Sequence, residues 1–299
     1  MKHLLSVCDM KDKVEYLLDL ADKFKNGLIK GKPLKDKYMA MVFEKASTRT
    51  RVSFEVGMSQ LGGTPLYLSA QDLQLGRGEP IADTARTLSR YVDAIMIRAF
   101  RHKDVIELAK NASVPVINGL TDLEHPCQTL ADMQTIREYK GDFNRKLAFI
   151  GDGNNVCNSL ILISAILGMD IYVASPKGYE PDKMIIKKAE KIARGQSMIK
   201  ITNDPYEAAT GADIVYTDVW VSMGHENETK ERLKAFRPYQ VNKDLMNHAK
   251  ADAIFMHCLP AKRGQETTSD VIDGPNSVVW DQAENRLHAQ KAIMYWLIR

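Results

Sequence analysis

The chain has 299 residues, of which 44% are hydrophobic and 26% are charged. At about 150 residues per domain this length predicts two domains, and the composition excludes a disordered chain or a small disulfide-stapled scaffold. The 41 Lys and Arg residues exceed the 38 Asp and Glu residues by a net charge of only +3, which is too small to indicate binding to nucleic acid or to an anionic membrane.

The cysteines and the apolar segments indicate the compartment. The four cysteines form no Cys-x-x-Cys pair and have no metal-ligand spacing to a histidine, so neither a disulfide framework nor a structural zinc site is expected. The first apolar run ends at Asp9 and is too short for a secretion signal, and the longest run, residues 159–173, is too short to span a membrane. We therefore expect a cytoplasmic protein.

Helix and strand patterns alternate along the chain. Apolar spacing predicts a helix over 14–24 and a buried strand over 38–43. Long helices are predicted over 126–139 and 282–298. The further predicted strands are Thr64–Leu68, Ala94–Arg98, Val114–Ile117, Lys146–Ile150, Asp170–Ala174, Met198–Ile201, Asp213–Thr217, Ala253–His257 and Val278–Trp280. The alternation predicts an α/β fold of two domains, each a doubly wound, mainly parallel sheet flanked by helices, with a boundary in the polar turn at 139–145.

Ligands of open parallel sheets bind beyond the carboxyl ends of the strands, so the strand-to-helix loops are the places to expect chemistry. The first such loop reads Ser47-Thr-Arg-Thr-Arg51 and opens a helix. Its three hydroxyl and two guanidinium groups lie where backbone N–H groups and the helix dipole already favour an anion. This pattern predicts a phosphate site that is not a P-loop, and the alternative is a serine N-cap followed by solvated arginines.

Three further loops carry candidate groups. In His125-Pro-Cys-Gln128, His125 and Gln128 project from a helix N-terminus, where a neutral imidazole can donate to an oxyanion or simply cap the helix. Asp218 follows a predicted strand and suits an ammonium group. Cys258, in His257-Cys-Leu-Pro260, follows another strand and could alternatively be an apolar filler.

A glycine loop after the strand at 146–150 partly matches a dinucleotide fingerprint. Val156 replaces the third glycine of Gly151-Asp-Gly-Asn-Asn-Val156, and the next strand ends in Ala174-Ser175 instead of an acidic residue. Asn154 and Asn155 suit a small polar ligand better than a nicotinamide cofactor.

Taken together and in this order, the loops resemble those of the aspartate/ornithine carbamoyltransferase family. The segments 47–51 and 125–128 are similar to motifs of the whole family, whereas the Asp218…Ser222-Met223-Gly224 loop and 257–260 resemble its ornithine branch. The resemblance covers nearly the whole chain. It implies that the carbamoyl group of carbamoyl phosphate passes to the side-chain amine of L-ornithine, giving citrulline and phosphate, with no metal and no organic cofactor.

The resemblance also implies roles for individual residues. The carbamoyl phosphate-binding set is Ser47, Thr48, Arg49, Thr50, Gln74 from a neighbouring subunit, Arg98, His125, Pro126, Cys127, Gln128, Cys258, Leu259 and Arg286. Among these, Arg98, His125 and Cys258 are expected to be catalytic. The ornithine-binding set is Asn155, Asp218, Ser222 and Met223. Arg49, Arg51, Arg98 and Arg286 are expected to converge on one dianion.

The implied organisation is a carbamoyl phosphate domain at 1–140, completed by the terminal helix 283–299, and an ornithine domain at 141–282, linked by two long helices. A homotrimer or a multiple of trimers is implied as well. Three alternatives stay open at this stage: a carbamoyltransferase for putrescine or aspartate, a two-lobed binding protein without turnover, and a nicotinamide-dependent dehydrogenase.

Overall fold

The computed structural model describes residues 2–73, 78–221 and 226–299. Within these ranges no helix combines the length and the apolar character that crossing a membrane requires. The chain divides into two compact units, of which the first comprises Met1–Gln134 and Glu284–Arg299 and the second Thr135–Ala283. The two divisions fall inside helices, at residues 134/135 and 283/284, whereas the sequence predicted them at 140/141 and 282/283.

The first unit contains a four-stranded parallel sheet in the order β2-β1-β3-β4. Its elements, after a 3-10 helix at Val7–Lys13, are α1 (Val14–Lys25), β1 (Tyr38–Phe43), α2 (Thr48–Gln60), β2 (Thr64–Ser69), α3 (Ile81–Leu88), β3 (Ala94–Arg98), α4 (His102–Asn111), β4 (Val116–Leu120) and the start of α5 (Pro126–Lys140). The central strands β1 and β3 are almost entirely buried, as expected for parallel strands covered on both faces. The strand order reverses between β1 and β3, where Phe43 lies opposite Arg98.

The second unit contains a five-stranded parallel sheet in the order β7-β6-β5-β8-β9. The elements that follow α5 are β5 (Lys146–Ile150), α6 (Asn155–Leu167), β6 (Asp170–Ala174), α7 (Lys183–Ala193), β7 (Ile199–Thr202), α8 (Pro205–Ala209), β8 (Ile214–Thr217), α9 (Thr229–Phe236), α10 (Lys243–Met246), β9 (Ile254–His257), α11 (Ser269–Ile272) and α12 (Val279–Ile298). In its core the rings of Phe149 and Tyr216 stack at 5.8 Å across β5 and β8. Here the strand order reverses between β5 and β8.

The predicted fold class is confirmed, since both units are parallel sheets flanked by helices. Most predicted strands end within one residue of the observed strands, but β4 reaches Leu120 instead of ending at Ile117. The sequence there, Asn118-Gly119, contains residue types that strands usually avoid, which explains the short prediction.

The predicted strand at Val278–Trp280 is wrong. Val279 begins α12, and Ser277, two residues earlier, forms only an isolated bridge to Phe255 of β9. The backbone N–H of Val278 donates to the carbonyl of Phe255, and the carbonyl of Val278 accepts from Gln282 in the first turn of α12. The bulky residues Val-Val-Trp suit a strand locally, but only one residue pairs before the helix begins.

Candidate active site

In the first unit, the reversal of strand order places the start of α2 beside the end of β3. Ser47 caps α2, and its Oγ accepts a hydrogen bond from the Thr50 N–H at 3.3 Å. The Thr50 hydroxyl is buried and accepts from two guanidinium groups, Arg98 Nη1 at 3.4 Å and Arg286 Nη2 at 3.3 Å. Both arginines are at most 5% exposed. Three residues far apart in sequence therefore form one buried cationic cluster.

The two arginines reach Thr50 from elements with special geometry. Arg98 is the last residue of β3, and the register between β3 and β4 shifts between Ile97 and Arg98. Such irregularities redirect a side chain at the end of a strand. Arg286 lies well inside α12, which begins at Val279, whereas the sequence predicted it at the start of that helix.

His125 and Gln128 complete the cluster from the beginning of α5. The carbonyl of His125 accepts from the N–H groups of Gln128 and Thr129, which starts the helix. Arg286 Nη1 donates to Gln128 Oε1 at 2.6 Å. Burial and the positive charges of Arg286 and Arg98 lower the pKa of His125 well below its ordinary value of 6.5. The imidazole is therefore neutral at pH 7 and retains one N–H donor.

Other members of the predicted carbamoyl phosphate-binding set differ in burial from the cluster around Thr50. Thr48 is exposed and Arg49 is half-buried in the first turn of α2, and Gln74 lies outside the described residues. The thiol of Cys127 donates to the carbonyl of Asn118 at 3.4 Å, and burial raises its pKa to about 12. The side chain of Cys127 is thus a neutral packing group, and only its backbone is left for a ligand.

Arg51 does not join this cluster. Its guanidinium lies 3.7 Å from the centroid of the Tyr67 ring, and its Nε donates to Glu55 at 3.0 Å. The prediction that Arg51 converges on the same dianion as Arg98 is therefore wrong. Arg51 follows Thr50 directly, and consecutive helical residues point about 100° apart, so Arg51 takes an exposed face of α2.

In the second unit, the candidate residues gather where the neighbouring strands β5, β8 and β9 end. Asp218 directly follows β8, and Cys258 directly follows β9. The buried carboxylate of Asp218 accepts from Asn154 Nδ2 at 2.7 Å, from the Val219 N–H at 2.8 Å and from Cys258 Sγ at 3.0 Å. The fold thus brings the predicted Asp218 and Cys258 into direct contact.

Asn154 contacts the carboxylate of Asp218, and its neighbour Asn155 is the residue that the resemblance implied for ornithine binding. Asn154 Oδ1 caps α6 by accepting from the N–H groups of Val156 and Cys157, so its amide nitrogen is directed to the carboxylate of Asp218. Asn155 is the first residue of α6 and is half-buried. Asparagine before an apolar helix is a strong N-cap signal, and that signal identifies Asn154.

Packing explains the glycine at position 153 in the loop 151–156. A Cβ at Gly153 would lie 2.2 Å from the backbone nitrogen of Pro181, so no larger residue fits. The loop therefore has a structural reason for this glycine that involves no dinucleotide.

His257 is a buried residue whose two ring nitrogens both have partners. Nδ1 accepts from the Leu259 N–H at 2.8 Å, and Nε2 faces Glu266 Oε1 at 3.3 Å. Leu259 takes a left-handed backbone conformation, with φ of 58°, which is uncommon for a leucine. Ligand atoms of Asp218, His257 and Cys258 lie within 4.8 Å of one another, but binding a metal here would break a hydrogen bond of His257.

Ser222 and Met223 lie outside the described residues. The sequence missed Asp132, whose Oδ1 accepts from Gln128 Nε2 at 2.9 Å, and Glu266, which faces His257. The spacing of four residues between Gln128 and Asp132 on a predicted helix was the available signal for the first of these contacts.

Comparison with known proteins defines the class. The model of the aspartate/ornithine carbamoyltransferase carbamoyl-P binding domain matches residues 2–138, and that of the Asp/Orn binding domain matches residues 144–297. The chain belongs to the aspartate/ornithine carbamoyltransferase family. It is 71% identical over 299 residues to the ornithine carbamoyltransferase of Methanothermobacter thermautotrophicus, covering 100% of this chain and 99% of that protein.

Solved structures of ornithine carbamoyltransferases are similar to this chain over nearly its whole length. The structure of ornithine carbamoyltransferase from Pyrococcus furiosus superimposes with a TM-score of 0.96 at 57% identity, covering 99% of this chain and 97% of that one. The structure of the enzyme of the same name from Thermus thermophilus gives a TM-score of 0.91 at 43% identity, covering 100% and 99% of the two chains.

The lowered pKa of His125 predicts a stability effect. The unfolded chain binds a proton at this histidine below about pH 6.5, whereas the folded chain binds it only at much lower pH. Protonation therefore favours unfolding, and the free energy of unfolding should fall as the pH drops below 6.5, by up to about 1.4 kcal/mol per pH unit for this group. His125→Gln should lack that component.

Urea unfolding of both proteins at pH 5 to 8, in buffer free of phosphate, measures the effect. The wild type should lose stability relative to His125→Gln as the pH falls from 6.5 to 5. A difference between the two proteins that stays constant over this range would contradict a buried neutral His125.

Proposed function

We propose that the chain transfers the carbamoyl group of carbamoyl phosphate to the side-chain amine of L-ornithine, producing L-citrulline and inorganic phosphate. The observation that carries this proposal is the meeting of the Arg98 and Arg286 guanidinium groups at the buried hydroxyl of Thr50. Like charges in a buried place repel each other, and a bound dianion relieves the repulsion while accepting charge-assisted hydrogen bonds. The name of the family model that covers this unit, a carbamoyl-P binding domain, supports the same ligand.

The residues of the first unit suit the departure of phosphate. The N-terminus of α2 and the two arginines would hold the phosphate and stabilise the charge that it gains as its bond to carbon breaks. The neutral His125 can donate to the carbamoyl oxygen as that oxygen becomes negative. Deleting one such donor in other enzymes costs about 3–4 kcal/mol of transition-state stabilisation.

The attacking group must be a neutral amine, although a primary alkyl amine has a pKa of about 10. As the new C–N bond forms and the C–O bond to phosphate breaks, the leaving phosphate takes the bonding electron pair and can accept the proton that the amine releases. Atoms and charge balance without a metal or an organic cofactor.

The second unit suits recognition of a cationic amino acid. A carboxylate offers about four acceptor positions, and three at Asp218 are taken by Asn154, Val219 and Cys258. The fourth can accept from an ammonium group of the substrate. Cys258 lies at the same carboxylate and would contact the substrate there. The names of the relatives, ornithine carbamoyltransferases, support L-ornithine as that substrate.

An acceptor assay tests the proposal. The protein is mixed with carbamoyl phosphate and one of L-ornithine, putrescine or L-aspartate, and phosphate and ureido product are measured together. We expect equal amounts of phosphate and citrulline, a kcat/KM for L-ornithine at least 100-fold above that for the other acceptors, and a loss of at least 100-fold in Arg98→Gln. A preference for putrescine would indicate a different amine substrate, and no phosphate release with any acceptor would indicate a binding protein.

Asn154 should affect binding of the amino acid beyond its effect on stability. Asn154→Ala removes a cap of α6 and also the hydrogen bond that orients Asp218, so we expect about 1 kcal/mol of lost stability and a KM for L-ornithine raised at least tenfold. Asp182 is the matched control, because its side chain caps α7 through the N–H groups of Met184 and Ile185. Asp182→Ala should cost similar stability and leave the KM unchanged. Equal KM values in both variants would reject the role of Asn154.

We also propose a cytoplasmic homotrimer. The four cysteines are free thiols, which suits a reducing compartment.

Two features support the trimer. The edge strand β2 has Leu66 and Tyr67 exposed, which suits an apolar face covered by another subunit. Gln74, which the resemblance implies to reach a neighbouring site, follows this strand in sequence. Light scattering should give the mass of three chains. Mixing inactive Gln74→Ala and Arg98→Gln proteins under exchange conditions should restore activity, whereas a monomer would restore none.

A further inference from the structure

Asp132 is a buried carboxylate on α5 that the reaction outlined above does not use. It lies four residues after Gln128 and accepts from Gln128 Nε2 at 2.9 Å. The oxygen of the same Gln128 amide, Oε1, accepts from Arg286 Nη1 at 2.6 Å. Arg286 Nη2 in turn donates to Thr50 Oγ1 at 3.3 Å. A continuous series of hydrogen bonds thus runs from Asp132 to the proposed phosphate site.

The Asp132 carboxylate and the Arg286 guanidinium permit only one orientation of the Gln128 amide that lies between them. A carboxylate only accepts hydrogen bonds and a guanidinium only donates them. A glutamine amide between them satisfies both only when its NH₂ faces the carboxylate and its oxygen faces the guanidinium. The flipped amide would set NH₂ against Arg286 and oxygen against Asp132, and in a buried place both lost bonds are costly.

We propose that Asp132 is a positioning residue, which fixes the amide orientation of Gln128 and through it the guanidinium of Arg286. This inference rests on the proposed function, since it assigns Arg286 to the phosphate. With Asp132 in place, Gln128 always presents an acceptor to Arg286. The guanidinium is then held through two of its nitrogens, because Nη1 donates to Gln128 Oε1 and Nη2 donates to Thr50 Oγ1.

The sign of the effect separates positioning from simple electrostatics. Asp132→Asn keeps the shape of the side chain but presents either a donor or an acceptor, so Gln128 can flip. Removing a negative charge near an anion site by itself strengthens binding of the anion. Loss of positioning weakens it. A weaker affinity for phosphate in Asp132→Asn is therefore a result that the charge change alone does not produce.

The chain offers a matched control on the same helix. Gln134 Nε2 donates to Asp22 Oδ1 at 3.0 Å, so Asp22→Asn makes the same change from carboxylate to amide opposite another buried glutamine of α5. The two variants alter the same kind of hydrogen bond. Only Asp132→Asn affects the glutamine that contacts Arg286.

The test measures binding of inorganic phosphate by calorimetry to wild type, Asp132→Asn and Asp22→Asn, together with citrulline formation. We expect Asp132→Asn to bind phosphate 10- to 100-fold more weakly and to lose kcat/KM for carbamoyl phosphate by a similar factor, and Asp22→Asn to stay within twofold of wild type. Unchanged or tighter binding in Asp132→Asn would overturn the inference. A wild type that binds phosphate but forms no citrulline would instead reject the proposed function.

A double-mutant cycle tests whether Asp132 acts through Gln128. In the Gln128→Leu background there is no amide to orient, so adding Asp132→Asn should cause no further loss of phosphate affinity. Losses that multiply would show that Asp132 acts independently and would reject the positioning role. Should Asp132→Asn fail to fold, Gln128→Leu with and without Asp132→Leu gives the same comparison, because replacing both partners by apolar groups is often tolerated.

Discussion

Two buried guanidinium groups, those of Arg98 and Arg286, both donate to the hydroxyl of Thr50, and neighbouring residues of the first unit hold them in place. Placing like charges together in a buried site is unfavourable unless an anion is bound, so the surrounding groups must keep them in position. The end of β3 directs Arg98, and Gln128 holds Arg286. Burial, together with these same charges, keeps the nearby His125 neutral, which leaves the imidazole able to donate without adding a third positive charge.

Both units form their sites by the same rule of sheet topology. In each sheet the strand order reverses once, between β1 and β3 in the first unit and between β5 and β8 in the second. Loops at such a point turn to opposite faces and leave a crevice at the carboxyl ends of the strands. Cationic groups gather at the first crevice, whereas the second is built around the carboxylate of Asp218. The opposite charges match the two substrates, an acyl phosphate and a cationic amino acid.

Much of the fold and part of the candidate site could be predicted from the sequence. Continuous apolar runs located β1, β3 and β5 because buried parallel strands need them on both faces. The prediction of a strand at 278–280 was wrong because these residue types suit both a strand and a helix start, and only one residue there pairs with β9. Asp218 and Cys258 were predicted separately, but their contact depends on β8 and β9 being neighbours.

The sequence by itself determined the class of fold and which loops carry the chemistry, since apolar periodicity and clusters of donors are local properties of the chain. Only the tertiary structure decided which member of each cluster faces the site. Neighbouring residues of a helix or loop point in different directions, so Arg51 turns to Glu55 while Thr50 faces Arg98. The partner that selects a side chain often comes from a distant part of the chain, as Arg286 does for Gln128, and local sequence does not encode that meeting.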